Sequence, residues 1–227
     1  MIIVTRPQEY GESHWLPEGL GQKVIQAPML KYRPISRTPI CTQDYDALIF
    51  TSRLGVMAAL PRLTSRGLKT FTVGPGTGCE LAKAGFQHIV AASGTAQHLL
   101  SKLQSIRFKR ALYLSGQDIT VDLSKEHGLP VDRRVVYQMV PAEGLPSEVL
   151  ESAARAEPWI VPLYSHRTCQ TFEGLIRASG LTRKVAQATA VFISENVSSQ
   201  SLLPWGRKVV SGSCDADGMA DAISKAA

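Results

Sequence analysis

Residues 47–56 read ALIFTSRLGV and residues 160–169 read IVPLYSHRTC. Each is a short apolar run that ends on a serine, Ser52 or Ser165, and then opens into a helical pattern. A second unit of the same grammar follows each copy, TFTVGPGTGCEL at 70–81 and AVFISENVSSQSL at 190–202. Apolar runs this short suit strands buried on both faces, and a small hydroxyl residue just after one is a natural helix N-cap. A strand that delivers serine or glycine to a helix start leaves main-chain N–H groups unpaired and facing an anion. The doubling therefore predicts two lobes that address one acidic ligand.

Outward from these copies, strands are expected at 1–4, 23–26, 47–50, 70–73, 88–91, 111–114, 160–164, 189–193 and 208–210. Helical periodicity fills most gaps, at 10–20, 95–103, 147–156, 168–178 and 217–226. Apolar strands alternating with helices specify an α/β fold with parallel sheets covered on both faces. After Pro141 only three strands remain, so the N-terminal βαβ stretch is expected to join them. Residues 1–33 plus 141–227 then form one discontinuous α/β domain, and 36–132 an inserted α/β domain with its own sheet. Two chain crossings follow. The stretches 29–35 (MLKYRPI) and 134–140 (RVVYQMV) suit them, being rich in tyrosine and β-branched residues with prolines nearby. They are expected to pair as a two-stranded antiparallel linker, thin enough to let the lobes swing.

Composition narrows the partners. The 227 residues allow one large or two small domains. Apolar residues make up 44% and charged residues 19%, the balance of a globular chain in water. No apolar run nears the ~20 residues of a membrane span, and MIIVTRPQEYG at the start has no basic segment leading into a long apolar one. A cytoplasmic location without membrane partner is expected. Cys41, Cys79, Cys169 and Cys214 are dispersed without C-x-x-C spacing and read as free thiols, buried or half-buried; the five histidines are equally scattered, and no metal is assigned. The formal charge of +6 points to an anionic partner. Lysines and arginines are spread thinly, and the adjacent pairs Lys109–Arg110 and Arg133–Arg134 read as solvated element edges. A small polyanion fits this better than nucleic acid.

The segments MIIVTRP, DALIFTSRLGV, FTVGPGTGCELAKAGF with GTAQHLLSKL, ALYLSGQD, RRVVYQMVP, VPLYSHRTCQTF and ISENVSSQ, in this order and spacing, together resemble the uroporphyrinogen-III synthase family. The resemblance spans essentially the whole chain. It implies two similar parallel-sheet α/β domains, one discontinuous, joined by a two-stranded antiparallel linker, with the active site in the cleft between them. It further implies a monomeric lyase of tetrapyrrole and haem biosynthesis that needs no cofactor. The substrate is hydroxymethylbilane, a linear tetrapyrrole carrying eight carboxylates, which is cyclised with inversion of ring D and loss of water to uroporphyrinogen III. Free hydroxymethylbilane loses its hydroxyl to give an azafulvene and closes unaided to the uninverted isomer. The enzyme must instead favour attack at the substituted carbon of the last ring through a spiro intermediate, largely a task of holding one folded conformation.

The same resemblance assigns residues. Tyr137 in VVYQMV matches the linker tyrosine that assists departure of the hydroxyl as proton donor. A phenol of ordinary pKa ~10 is protonated at neutral pH and suits that task; on composition alone Tyr137 reads as a packing residue of an extended strand. Thr51, Ser52 and Ser165 match strand-end hydroxyls that line the cleft, and each serine is also a plain N-cap candidate. Gly74 and Thr77 in VGPGTG match the next strand end, where glycine serves close approach to a carboxylate or a tight turn. Ser115 and Gly116 occupy a third loop. Arg6 and Arg53 sit where each pairs with a propionate or faces solvent. In ISENVSS, Ser194 and Val197 replace a glycine and a threonine common in the family, so that loop keeps one hydroxyl and loses another. Glu195 is expected to turn away from an anionic ligand as a first-turn helix residue.

Other classes fit less well. A two-lobed extracytoplasmic binding protein would carry a signal peptide, and GPGTG matches neither G-x-G-x-x-G nor the P-loop. A non-catalytic tetrapyrrole or small-polyanion sensor remains as the alternative, with Tyr137 arguing against it.

Overall fold

The computed structural model describes residues 1–7, 16–17, 21–155 and 157–227; the helix expected at 10–20 falls, apart from Leu16 and Pro17, outside them. In chain order the strands are β1 (Ile2–Val4), β2 (Val24–Gln26), β3 (Leu30–Pro34), β4 (Ala47–Phe50), β5 (Lys69–Thr72) and β6 (Ile89–Ala91). Then come β7 (Ala111–Gly116), β8 (Val131–Pro141), β9 (Ile160–Leu163), β10 (Thr189–Phe192) and β11 (Arg207–Val210). The helices are α1 (Arg53–Ala59), α2 (Pro75–Lys83), α3 (Ala96–Ser105) and α4 (Ser147–Ala153), followed by α5 (His166–Ala178), α6 (Thr182–Val185), α7 (Glu195–Ser199) and α8 (Ala216–Ala226). None is long and apolar enough to cross a membrane.

The chain divides into two compact units, Met1–Lys31 with Val140–Ala227, and Tyr32–Met139. It leaves the first unit within β3 and returns within β8. The first unit holds a sheet ordered β11-β10-β9-β1-β2, in which neighbouring strands pair in parallel. The second sheet is ordered β3-β8-β7-β4-β5-β6, parallel from β8 through β6. Beside β8, strand β3 runs the opposite way: Ile35 N–H donates to Val136 O (3.1 Å) and Ala142 N–H to Met29 O (2.9 Å), so partners fall in number on one strand as they rise on the other. From Val131 to Tyr137, however, β8 also pairs with β7. That part of the strand is built into the second sheet instead of standing off as a thin ribbon.

Burial explains why these segments form strands. All four residues of β4 and of β9 are buried, the pattern of a parallel strand covered on both faces. In the first unit one side packs Trp159, Phe172, Val185 and Phe192, with Trp205 stacked 5.9 Å from Phe172. The other packs Ile2, Val191, Met219 and Ile223. The second unit buries Ile49, Phe71, Leu99, Leu103 and Tyr113 together. Of the cysteines only Cys169 is buried; Cys41, Cys79 and Cys214 are exposed, which corrects the expectation of sheltered thiols. Burial, and next the Glu173 carboxylate, push the Cys169 thiol up to about 12, leaving it inert.

Strand order picks out one place in each sheet. In the first, β2 was added on one side of β1 while β9, β10 and β11 grew on the other. In the second, β5 and β6 lie on one side of β4, and β7 and β8 on the other. Ligands of open α/β sheets bind beyond the carboxyl ends of strands where the order reverses. Those ends belong to β1 and β9 in the first unit and to β4 and β7 in the second.

Candidate active site

At the carboxyl end of β4 the backbone enters α1 through Ser52, extended at φ −153° and ψ 154°, whose Oγ accepts the Gly55 N–H at 3.0 Å. This is the N-cap expected from the sequence. The same Oγ lies 3.0 Å from the Tyr137 hydroxyl, and Thr51 Oγ1 lies 3.0 Å from the Tyr113 hydroxyl. Tyr137 is 8% exposed and Tyr113 1%. Burial, above all, raises both phenols above the ordinary tyrosine range. For Tyr137 the Ser52 bond opposes this and the Asp118 charge adds to it. The Tyr137 ring also sits 5.6 Å from that of Tyr32.

Thr51, Ser52, Tyr113 and Tyr137 line a cavity of about 270 Å³ with Gly116, Asp118 and the apolar side chains of Val73, Ala96, Ile119 and Val121. Gly116 is required there: a Cβ on it would stand 2.7 Å from Tyr137 Cζ and 2.8 Å from its hydroxyl oxygen. A register shift between Ser115 and Gly116 sets Gly116 opposite Tyr137, a bulge that aims a side chain at a site.

Ser115 does not reach the cavity. It is fully buried, donating to Gly116 O (3.0 Å) and accepting from Arg133 Nε (2.8 Å). The Arg133 Nη2 donates to Gly116 O (2.9 Å) and Gln117 O (2.8 Å), and Nη1 meets Asp122 at 3.3 Å. Its side chain is only 19% exposed, so Arg133 is not the solvated edge residue that the adjacent-basic reading expected. Parallel pairing of β8 with β7 carries its guanidinium onto the loop that β7 enters. The other basic pair lies at the opposite strand ends. There Lys109 and Arg110 donate main-chain N–H bonds to Asp46, and the Arg110 guanidinium meets Asp132 at 2.7 Å.

Arg53, Gly74 and Thr77 are not among the residues lining this cavity. Arg53 is exposed at the start of α1. Gly74 caps α2 in extended backbone, φ −152°, which any residue adopts, and a Cβ there would make ordinary contact with Gly94. Thr77 is 8% exposed in the first turn of α2.

In the first unit the equivalent place lies beyond the carboxyl ends of β1 and β9. Pro162 lies in β9, a central strand, where a proline removes a ladder hydrogen bond. Beside it β1 and β9 pair in register only at Ile2 and Ile160, and Thr5 Oγ1 donates to Pro162 O at 2.5 Å. The next residue, Arg6, places its guanidinium 5.8 Å over the Tyr164 ring, whose phenol burial pushes well up. Ser165 caps α5, accepting from Thr168 N (3.1 Å) and standing 2.9 Å from Thr168 Oγ1. His166 follows, its Nδ1 buried without a hydrogen-bond partner among the described residues. At the next strand end Ser194 caps α7, accepting from Val197 N at 3.4 Å. Val197 packs into the core at 6% exposure, and Glu195 is exposed in the first turn.

Sequence reading missed Tyr113, Asp118 and Arg133. Tyr113 is a lone polar ring within the apolar run Ala111–Leu114, the one local signal that could have marked it. The other two depend on strand pairing.

The family model for uroporphyrinogen-III synthase HemD matches residues 15–221. Among solved structures, the uroporphyrinogen-III synthetase of Helicobacter pylori 26695 is similar over 97% of this chain and 96% of that one, at 15% identity and a TM-score of 0.66. A mutant uroporphyrinogen III synthase from the extremely thermophilic bacterium Thermus thermophilus aligns over 99% and 97%, at 17% identity and a TM-score of 0.49. Comparison with curated proteins finds no significant match. The first of these structures shares the fold and the family model covers most of the residues, so the chain belongs to the uroporphyrinogen-III synthase family.

Proposed function

We propose that Tyr137 is the proton donor for the reaction of this family, in which a cyclising hydro-lyase closes a linear tetrapyrrole. The reading rests on one observation above all: a buried phenol, bonded to a strand-end serine and seated over a glycine, lines a cavity where the strand order of its sheet reverses. Burial keeps the phenol protonated through neutral pH. The proton passes to the departing hydroxyl of hydroxymethylbilane as the C–O bond breaks and water leaves. Attack by the substituted carbon of ring D then gives the spiro intermediate, whose rearrangement and closure release a proton that restores Tyr137. No strong acid is needed, because the pyrrole nitrogen supplies the electrons.

Selectivity for the inverted isomer comes from holding the bilane folded. Strand-end hydroxyls and helix N–H groups at Thr51, Ser52, Gly74, Thr77, Gly116, Ser165 and Ser194, with Arg6 and Arg53, are the proposed contacts for its carboxylates. Ser115 acts on this site through Arg133 instead of touching the ligand. We take the protein to be a cytoplasmic monomer without a cofactor; thinly spread basic residues disfavour a nucleic-acid partner. The non-catalytic sensor reading is not favoured, since the family is one of enzymes. Incubation with freshly generated hydroxymethylbilane, followed by oxidation and isomer separation, tests the activity. Uroporphyrin III is expected, and uroporphyrin I alone would refute it.

A further inference from the structure

Two phenols line the cavity at the end of β4, and the proton transfer proposed above uses only Tyr137. Tyr113 is the other. It is 1% exposed and buried together with Ile49, Phe71, Leu99 and Leu103, so a tetrapyrrole has almost none of its surface to press against. Among the described residues its hydroxyl meets one partner, Thr51 Oγ1, at 3.0 Å. Resting on the function proposed above, we infer that Tyr113 is a positioning residue, whose phenol donates to Thr51 Oγ1 and so turns the threonine proton toward a substrate carboxylate.

The direction of the bond follows from a proton count. Each hydroxyl carries one proton, and one of the two lies between the oxygens. If Thr51 donated, the Tyr113 proton would be left among apolar side chains with no other acceptor among the described residues, and a buried unsatisfied donor is costly. Burial, above all, also keeps the phenol protonated at neutral pH, ready to donate. Thr51 differs in being only half-buried, and it lines the cavity. Having accepted from Tyr113, its oxygen still has its own proton to give. A carboxylate of the bilane is the acceptor that the proposed reaction brings there. Strand pairing explains the reach: in the parallel register of β4 and β7, Ile49 stands opposite Tyr113. The long phenol side chain therefore extends to Thr51, two residues further along and on the same side of the strand. A donor aimed before the ligand arrives loses less freedom on binding than a freely turning hydroxyl.

The test is a double-mutant cycle in steady-state kinetics with hydroxymethylbilane, using Tyr113→Phe, Thr51→Val and the pair, with isomer separation and wild type run alongside. Both changes remove a hydroxyl and keep the shape of the side chain. Thr51→Val should raise KM roughly tenfold, as the loss of a hydrogen bond to a charged group. Tyr113→Phe should raise it about threefold to fivefold by the same reasoning, each with a smaller change in kcat. The pair should match Thr51→Val alone, because Tyr113 then has nothing left to orient. Thr51→Ser, which retains the hydroxyl, should stay within about threefold of wild type. Effects on KM that multiply in the pair would overturn the inference, as would a wild-type KM in Thr51→Val, or a Tyr113→Phe loss carried by kcat. If Tyr113→Phe does not fold, Thr51→Val set against Thr51→Ser carries the test, and equal losses in those two would overturn it. If wild type itself gives only the type I isomer, the function proposed above fails instead, so the two failures are distinguishable.

Discussion

Ser52 and Ser165 end matching strands and cap matching helices, yet one hydroxyl reaches a phenol and, among the described residues, the other does not. The residue three positions on decides this. Beside Ser165 it is Thr168, whose own hydroxyl lies 2.9 Å from the serine oxygen. Beside Ser52 it is Gly55, which offers only its N–H, so the serine stays within 3.0 Å of Tyr137. The flanking residues also differ between the copies. Around Ser52 are two phenols and a carboxylate; around Ser165 are Arg6 over Tyr164, with His166 and Arg167 following. On the function proposed above, a repeated backbone device takes two tasks from its neighbours, proton chemistry in one copy and anion contact in the other.

The largest stability effect should come from Arg133→Ala. It removes the clasp on the loop after β7 and strands Asp122, at a cost of about 2–3 kcal/mol. Chemical denaturation should show this, and kcat should fall with it, because Gly116 and Tyr137 lose their shared support. Gly116→Ala is expected to cost about 1–2 kcal/mol by overpacking. It should also push Tyr137 away from Ser52 and lower kcat without affecting the first unit's copy. Smaller still, Ser52→Ala and Ser165→Ala should each lose about 1 kcal/mol as missing N-caps. Kinetics should separate them: the first lowers kcat, the second raises KM, and matching kinetic changes would collapse the distinction between the copies.

Acidity gives the smallest effect. The Tyr137 and Tyr113 phenols are raised by folding, so their contribution to stability is fully present below the unfolded tyrosine value of ~10 and is lost only as pH rises through the folded values. Thermal melts between pH 8 and 11 should decline only above about pH 10 on their account. A kcat that falls off between pH 7 and 9 with the titration of Tyr137 would be at odds with its burial.

Local pattern carried much of the fold into view. Buried apolar runs such as ALIF and IVPL announced parallel strands, and Ser52, Ser165 and Ser194 do cap the helices that follow. Long-range pairing was not legible. Arg133 looks like surface charge until β8 is laid beside β7. Ser115 looks like a loop hydroxyl because β7 runs two residues beyond its last aliphatic side chain, Leu114, and buries it. Pro162, a poor residue for a central strand, became sensible only where the β1–β9 ladder gives out. At the site, Tyr137 came from family resemblance, and its partner Ser52 from capping; what joined them was the bulge opposite Gly116.

The division of labour between the copies stands or falls on the saturating rate of uroporphyrinogen III formation in Tyr137→Phe set against Arg6→Ala. The first should fall about tenfold to a hundredfold, with the fold intact, and the second should keep the wild-type saturating rate with a higher KM. A Tyr137→Phe rate equal to wild type, or an Arg6→Ala loss in kcat as large as that of Tyr137→Phe, would refute the division.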